Sequence, residues 1–176
     1  MKLVRNESIG NKYWNTGKSN NWARPTTLNT ELNGAYLNNY ATIAQNMIGN
    51  AKYYLGGYNG SNVTVDTIYQ YERKISGSDY YYGTNPNSWT GKLALMYASD
   101  YGYASSNCEN KPIYDKNSSS NDIRACNATN WLLFKSNTEW ILPQYASRSD
   151  VAFDIFSDGY VYNDLVSASF PVQLFG

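Results

Sequence analysis

Histidine is absent from this chain. That absence removes the usual general base, the usual metal ligand and the Ser-His and Cys-His nucleophile pairs. Charge is scarce as well: 16% of residues are charged, 14 basic against 14 acidic, for a net charge of zero. With no basic excess and no basic stripe, nucleic-acid binding has no electrostatic footing. No run approaches the ~20 apolar residues that cross a bilayer, so no direct membrane insertion is expected. The opening Met1-Lys2-Leu3-Val4-Arg5 does not continue into the apolar run of a signal peptide. Only two cysteines occur, Cys108 and Cys126, and neither has a CxxC partner, so zinc and dithiol-redox motifs are poor readings. A disulfide closing the intervening loop of Asn, Ser, Lys and Asp is expected, worth about 3 kcal/mol in the chain-entropy picture. It would suit an exported protein. Two free, buried thiols are the alternative.

A second absence is local. From Tyr145 to Pro171 there is no Lys, Glu, Gln, Met or Trp, although Gln144 and Gln173 stand just outside the gap. Inside it, Val151, Phe153 and Ile155 alternate with Asp150, Ala152, Asp154 and Phe156, the period-two pattern of a half-buried strand. Ser157-Asp158-Gly159 supplies turn chemistry and Tyr160, Val161 and Tyr162 resume the alternation, which predicts a hairpin. Its inner face is ordinary core. Its outer face of Asp, Ala, Phe and Tyr has no packing reason to be there and reads as a recognition surface.

What is abundant agrees. Tyr (18 residues) and Asn (23) are both frequent, and the pair supplies rigid contact area and adaptable hydrogen bonding, as in antibody paratopes. The bland alternative is that Asn, Ser, Gly and Tyr fill the loops of an irregular β-containing protein. At 176 residues the chain is long enough to bury a proper core, so residues 1–176 read as one domain. Strand patterns at both extremes, Lys2–Arg5 and Val172–Phe175, suggest a domain excised from a longer protein.

Along the chain, Pro25-Thr26-Thr27 before Leu28, Glu31 and Leu32 predicts a capped helix that Gly34 ends or interrupts. Ala41–Ile48 predicts a short helix with Ile43, Met47 and Ile48 on one side. Ala51–Leu55 reads as a strand. Thr64–Lys74 is the clearest helix, with Val65, Ile68, Tyr69 and Glu72 at helical spacing and Asp66 in its first turn. Residues 76–91 read as a loop and Lys92–Tyr97 as a buried strand. Helices come early and short strands late, which is an α+β arrangement.

Several strings together resemble a known family: LVRNESIG (3–10), YLGG (54–57), YERK (71–74), WTGKLALMYASDYGYAS (89–105), the Cys108–Cys126 pair, NWL (130–132), EWIL (139–142) and PVQL (171–174). The chain is similar, over nearly its whole length, to C-type-lectin-fold domains of the formylglycine-generating-enzyme type. These serve as targets of diversity-generating retroelements in surface and pilin-like proteins of gut Firmicutes and their phages. The 89–105 run is the most specific piece. The resemblance implies a C-type-lectin-like fold and a C-terminal surface rewritten by adenine mutagenesis. Codons of the form NNT or NNC cannot encode Lys, Glu, Gln, Met or Trp, the five types missing from 145–171. It further implies a fixed scaffold of Val151, Phe153, Ile155, Gly159, Val161 and Val166. One departure is Ala168-Ser169-Phe170-Pro171-Val172, where the family closes with a Gly-Val-Arg-Pro-Val type string.

The chemistry of enzymes has little to build on. Nine Asp and five Glu allow a carboxylate dyad in principle, but solvated loop carboxylates are the ordinary explanation. Asp154, Asp158 and Asp164 do not follow the spacing of a calcium loop, and the Glu-Pro-Asn or Gln-Pro-Asp signature of sugar-binding lectins is missing. Trp89, Trp131 and Trp140 read as core rather than as pocket walls. Tyr80-Tyr81-Tyr82, in a Gly/Asn/Ser loop, is either a second contact patch or a merely adhesive loop.

The expected function is therefore a non-enzymatic recognition module, with no cofactor and no metal, on a cell surface, secreted, or on a phage virion. Its partner would be a protein or glycan receptor. The expected contacts are Tyr145, Arg148, Asp150, Ala152, Asp154, Phe156, Asp158, Tyr160, Tyr162, Asn163, Asp164 and Ser167. A structural pilin-like or minor surface subunit is the alternative, and a carbohydrate-active enzyme a remote one.

Overall fold

The computed structural model describes residues 7–58, 63–77, 80, 82–114, 121–133 and 137–174, with the backbone alone at 121–123. The predicted strand at Lys2–Arg5, Tyr81 of the triple-tyrosine run and Phe175 lie outside these residues. Short helices and small antiparallel sheets make up the chain, as the α+β expectation requires.

The N-terminal half begins with β1 (Asn11–Tyr13) and α1 (Thr27–Glu31). Thr26 caps α1 by accepting from the Asn29 N–H, as predicted. Gly34 does not end this helix. The chain widens there into a π-helical turn, Leu32–Tyr36. Asn33 in that turn donates to the Leu93 carbonyl and accepts from the Lys92 and Leu93 N–H groups. That side chain takes up the backbone of Lys92 and Leu93, so the predicted strand Lys92–Tyr97 does not form a continuous ladder, although the Met96 carbonyl accepts from the Leu142 N–H. Much of the segment is buried, but part of its backbone is bonded to Asn33, and the Tyr97 N–H to Asp100, rather than to a sheet ladder. Conversely, the predicted loop 76–91 ends in a strand, β4 (Ser88–Gly91), which pairs with β2 (Ala51–Tyr54).

Next, α2 (Thr42–Met47) forms as expected but turns its apolar side out, leaving Ile43 78% and Met47 80% exposed. The clearest predicted helix, α3 (Val65–Glu72), follows the short β3 (Val63–Thr64) and is capped by Thr64. It buries Val65, Ile68 and Glu72 and packs against α4 (Ala98–Tyr103). Gly102 permits that approach, since a Cβ there would meet Val65 at 2.6 Å. Glu72 ties the two helices by accepting from the Ser99 N–H and hydroxyl.

Cys108 and Cys126 form the expected disulfide, with both residues fully buried. The loop between them carries β5 (Pro112–Tyr114), paired with β3, and leads into α5 (Asn121–Thr129). Trp131 is not core. It is 69% exposed in the turn after α5, and Leu132 takes the buried position beside it.

The largest sheet is β6 (Glu139–Gln144), β7 (Val151–Ile155) and β8 (Val161–Leu165), with β7 in the middle. β9 (Ser169–Pro171) returns to pair with β1, Asn11 opposite Pro171. Side chains of the central sheet feed two core clusters. Trp140, Leu142 and Ala152 join Trp14, Trp22, Leu28 and Val172 in one. Ile141, Phe153, Ile155 and Val161 join Tyr58, Ile68, Tyr101 and Ile113 in the other. A strand covered by core on both faces is buried throughout, and β6 and β7 are.

Candidate functional site

The predicted hairpin is real. β7 and β8 pair antiparallel from Val151↔Leu165 to Ile155↔Val161, around the turn at 156–160. Its inner side chains are core: Phe153 stacks on Tyr58 at 4.1 Å, and Val151, Ile155 and Val161 are buried. The turn closes by bonds from the Phe156 N–H to the Tyr160 carbonyl (2.9 Å) and from the Gly159 N–H to the Phe156 carbonyl (2.7 Å). Gly159 sits at φ +85°, a conformation that favours glycine, with Asn127 so close that a Cβ would collide with it.

Three of the expected contacts need correction: Ala152 and Asp154 on β7, and Asn163 on β8, whose amide turns inward. Ala152 and Asp154 alternate with the inner residues, yet both are 0% exposed. The alternation is sound; what it could not reveal is that β7 is a central strand. Trp140 of β6 lies opposite Asp154, and the first core cluster covers Ala152. Only β8, the edge strand, keeps the half-exposed face expected of the whole hairpin.

The twelve residues do not form one surface. Tyr145, Arg148, Asp150 and Ser167 sit at the end where β7 begins and β8 finishes, the Val166 N–H bonding the Asp150 carbonyl. Phe156, Asp158, Tyr160 and Tyr162 sit at the turn end, about five strand residues or ~17 Å away. At the first end Arg148 grips Asp150 with two bonds, 3.0 and 2.8 Å, and this contact lowers the Asp150 carboxyl below its usual range. Tyr145 is half-buried, its ring 5.5 Å from Phe153. Asn163 is on the other face of β8, opposite Phe153, and its amide donates inward to the Tyr114 hydroxyl.

At the turn end three half-exposed rings pack on one another: Phe156 on Tyr160 at 4.9 Å, Phe156 on Tyr162 at 5.5 Å and Tyr160 on Tyr162 at 5.8 Å. Beneath them in register is Asp154, opposite Tyr162, with Asp164 one pair further along the same face. Both carboxylate oxygens of Asp154 are buried without a hydrogen-bond partner. Burial, then the Asp164 charge, pushes its pKa well above the usual carboxylate range; burial also raises Asp164. A dyad of this kind could move a proton, but Asp154 has no exposed surface through which a substrate could meet it.

The residues that position the hairpin were not singled out in the sequence. Asn20 places one amide nitrogen within 3.0, 2.8 and 2.8 Å of the Tyr145, Arg148 and Val151 carbonyls, two hydrogens shared among three acceptors. Asn85 bridges Asn20 to Gln144, and Gln144 donates to the Leu55 carbonyl. At the other end the Tyr101 hydroxyl donates to the Gly159 carbonyl (2.7 Å) and the Asn127 amide donates to the Asp158 carbonyl. The abundance of Asn was the one visible signal, and it does not say which Asn does this.

Of the other candidates, Tyr80 packs on Tyr71 at 5.0 Å while Tyr82 is exposed. Trp89 is half-buried against Trp22 and Tyr53 and borders an open depression of about 350 Å³ with Arg24, Asn29 and Asn33. Among the described residues no cluster of three or more His, Cys, Asp or Glu could hold a metal ion. Comparison with family models, curated proteins and solved structures yields no match.

Proposed function

We infer that this chain is a non-enzymatic recognition module of C-type-lectin-like fold, whose ligand-contacting surface is the exposed part of the β7–β8 hairpin and its flanking turns. The observation that carries the reading is the cluster of Phe156, Tyr160 and Tyr162. Three large rings stay half-exposed at a turn that Gly159, Tyr101 and Asn127 hold rigidly from below. Rigid aromatic area on a fixed backbone is what a recognition surface needs, because little conformational entropy is lost on contact. The missing residue types in 145–171 and the resemblance of the 89–105 run support a retroelement-diversified surface. Its contacts then reduce to Arg148, Asp150, Phe156, Asp158, Tyr160, Tyr162, Asp164 and Ser167, with Tyr145 at the margin. Display on a cell surface, pilus or phage tail is compatible with the disulfide.

The tail beyond Ala168 belongs to the scaffold. Phe170 packs on Trp140 at 4.7 Å and residues 171–174 are buried. Sequencing residues 140–176 in many sibling copies from the source population tests the reading. Substitution concentrated at the exposed positions, with Ala152, Asp154 and the tail constant, is the expected result. Conservative drift spread evenly over both groups would make the chain a structural subunit instead.

A further inference from the structure

The depression of about 350 Å³ beside Trp89 lies between residues 23–25, α1 and the π-helical turn Leu32–Tyr36, and none of its lining residues belongs to the β7–β8 hairpin. A second depression of about 670 Å³ shares Pro25, Thr30 and Gly34 with it. Three side-chain positions single this place out. Arg24 has its backbone fixed by bonds to Asn21 and Thr26, yet among the described residues its guanidinium has no hydrogen bond or ion pair. Glu31, on the second depression, is taken by Lys12, and no carboxylate lies on the first. Trp89 is half-exposed but rigid. Trp22 packs at right angles to it with ring centres 6.2 Å apart, Tyr53 lies 5.7 Å away, and a Cβ on Gly91 would collide with its ring. Gly34 lines both depressions within a helical turn, where glycine lowers stability. Neither a positive φ nor a close neighbour requires it, since a Cβ there would meet nothing within 4 Å. Its missing side chain keeps open the space that the two depressions share, at a π-helical turn of the kind that recurs at functional sites.

We propose that this depression is a binding subsite for a pyranose that bears a carboxylate, an acidic sugar unit of a glycan. Arg24 takes the carboxylate, Trp89 the ring, and Thr30 and Asn29 the hydroxyls. A guanidinium holds a carboxylate through two parallel bonds, and here that charge has no competitor on the wall. A pyranose has an apolar face of C–H groups and a rim of hydroxyls. The wall divides in the same way. Trp89 is its one large apolar side chain among the described residues, and the rest is guanidinium, amide, hydroxyl and small residues. Thr30 is exposed, and among the described residues its hydroxyl has no partner. Asn29 is 5% exposed and donates one amide hydrogen to the Trp22 carbonyl while its oxygen accepts from Asn33. One hydrogen and one lone pair remain for a ligand. The volume falls in the range of small-ligand sites, and the fixed indole and the anchored Arg24 backbone reduce the ordering that binding requires.

The subsite is separate from the hairpin surface and so is its test. The indole N–H of Trp89 and the Nε–H of Arg24 are followed by NMR in the full chain. The probes are methyl β-D-glucuronide, the methyl glycoside of N-acetylneuraminic acid, methyl β-D-glucoside and N-acetyl-glutamate methylamide. Saturable shifts at both groups with an acidic glycoside are expected, about tenfold weaker binding of the glucoside, and no response to the glutamate amide. Which acid binds separates uronate polymers from sialylated glycans as the source. R24Q should reduce the acidic glycoside to the level of the glucoside. G34L should keep or raise the melting temperature, because leucine is the better helix former and meets no neighbour, yet weaken binding about tenfold by filling the shared space. R24Q, at an exposed position without internal bonds, decides the matter if G34L fails to fold. Undiminished binding by R24Q would overturn the proposal, as would undiminished binding by a folded G34L. An equal response to the glucoside would remove the role of Arg24, and one to the glutamate amide would leave only an anion contact suited to an acidic peptide; either overturns the acidic-sugar assignment. Silence toward every probe removes the subsite and leaves the hairpin reading standing.

Discussion

Asn20 and Tyr160 show how differently two residues can serve one surface. Asn20 is buried, and its side-chain nitrogen faces three carbonyls of the 145–151 segment. Removing a donor from buried acceptors leaves them unsatisfied, which costs about 1–3 kcal/mol. N20A should therefore lower stability by about 2–3 kcal/mol, and chemical denaturation measures it; a loss no larger than that of R148A, at the exposed Arg148–Asp150 pair, would show that the amide is dispensable. Tyr160 and Tyr162 are the opposite case. Their rings are half-exposed and pack on one another and on Phe156, so Y160A/Y162A should shift the unfolding free energy by about 1 kcal/mol or less, while abolishing any contact made through this turn. A loss above ~3 kcal/mol would make them core and end their assignment as contacts. Tyr160 was legible from its place in a period-two pattern. Asn20 was not, because its partners lie more than a hundred residues along the chain.

At the scale of elements, the hairpin is one unit with two supports, and the support at the turn passes through the disulfide. Cys126 and Asn127 are neighbours on α5, and Asn127 donates to the Asp158 carbonyl. Tyr101 of α4 bonds Gly159 from the same side. Replacing both cysteines by Ala should cost about 3 kcal/mol and, because α5 then loses its tether to 108, speed amide exchange at Gly159 and Tyr160 more than at Val172. Equal acceleration everywhere would show a global loss of stability with no special link to the turn. The alternation that identifies β7 and β8 is a local property, and it survived into the structure residue by residue. What alternation cannot carry is the neighbour on the far side. β6 reaches β7 across an intervening segment, and Trp14 and Trp22 reach the same core from the other end of the sequence, so Ala152 and Asp154 read as outward although they are covered. The same limit applies to α2, where the spacing of Ile43 and Met47 was read correctly but, among the described residues, no element packs over them.

At the scale of the molecule, three buried carboxyls among the described residues set a common response to pH. Burial raises Glu72 from 4.5 to about 7, against the pull of its Ser99 bonds and Arg73. Burial raises Glu139 from 4.5 to about 8, against its single bond from the Gln173 N–H. Burial and Asp164 raise Asp154 as well. In each case the folded chain holds a proton that the unfolded chain releases above its ordinary carboxylate pKa. Below about 4.5 both states are protonated and this stabilisation is fully present. Between there and about 8 the folded state binds more protons than the unfolded one, so stability falls as pH rises. A chain dominated by ion-paired surface carboxylates would show the reverse slope over the lower part of this range. The melting temperature should accordingly be higher at pH 5 than at pH 8, by more than about 10 °C, since Glu72 and Glu139 together lose roughly 6 kcal/mol over that range and a kcal/mol moves a domain of this size about 2–4 °C. Glu139 is the group to change, because Gln in its place keeps an acceptor for the Gln173 N–H and removes the titration. E139Q should flatten the slope, most visibly between pH 6 and 8, without lowering stability at pH 8. A melting temperature that rises from pH 5 to pH 8 in the unaltered chain would mean that these carboxyls are ionised in the fold, with partners other than the ones seen here.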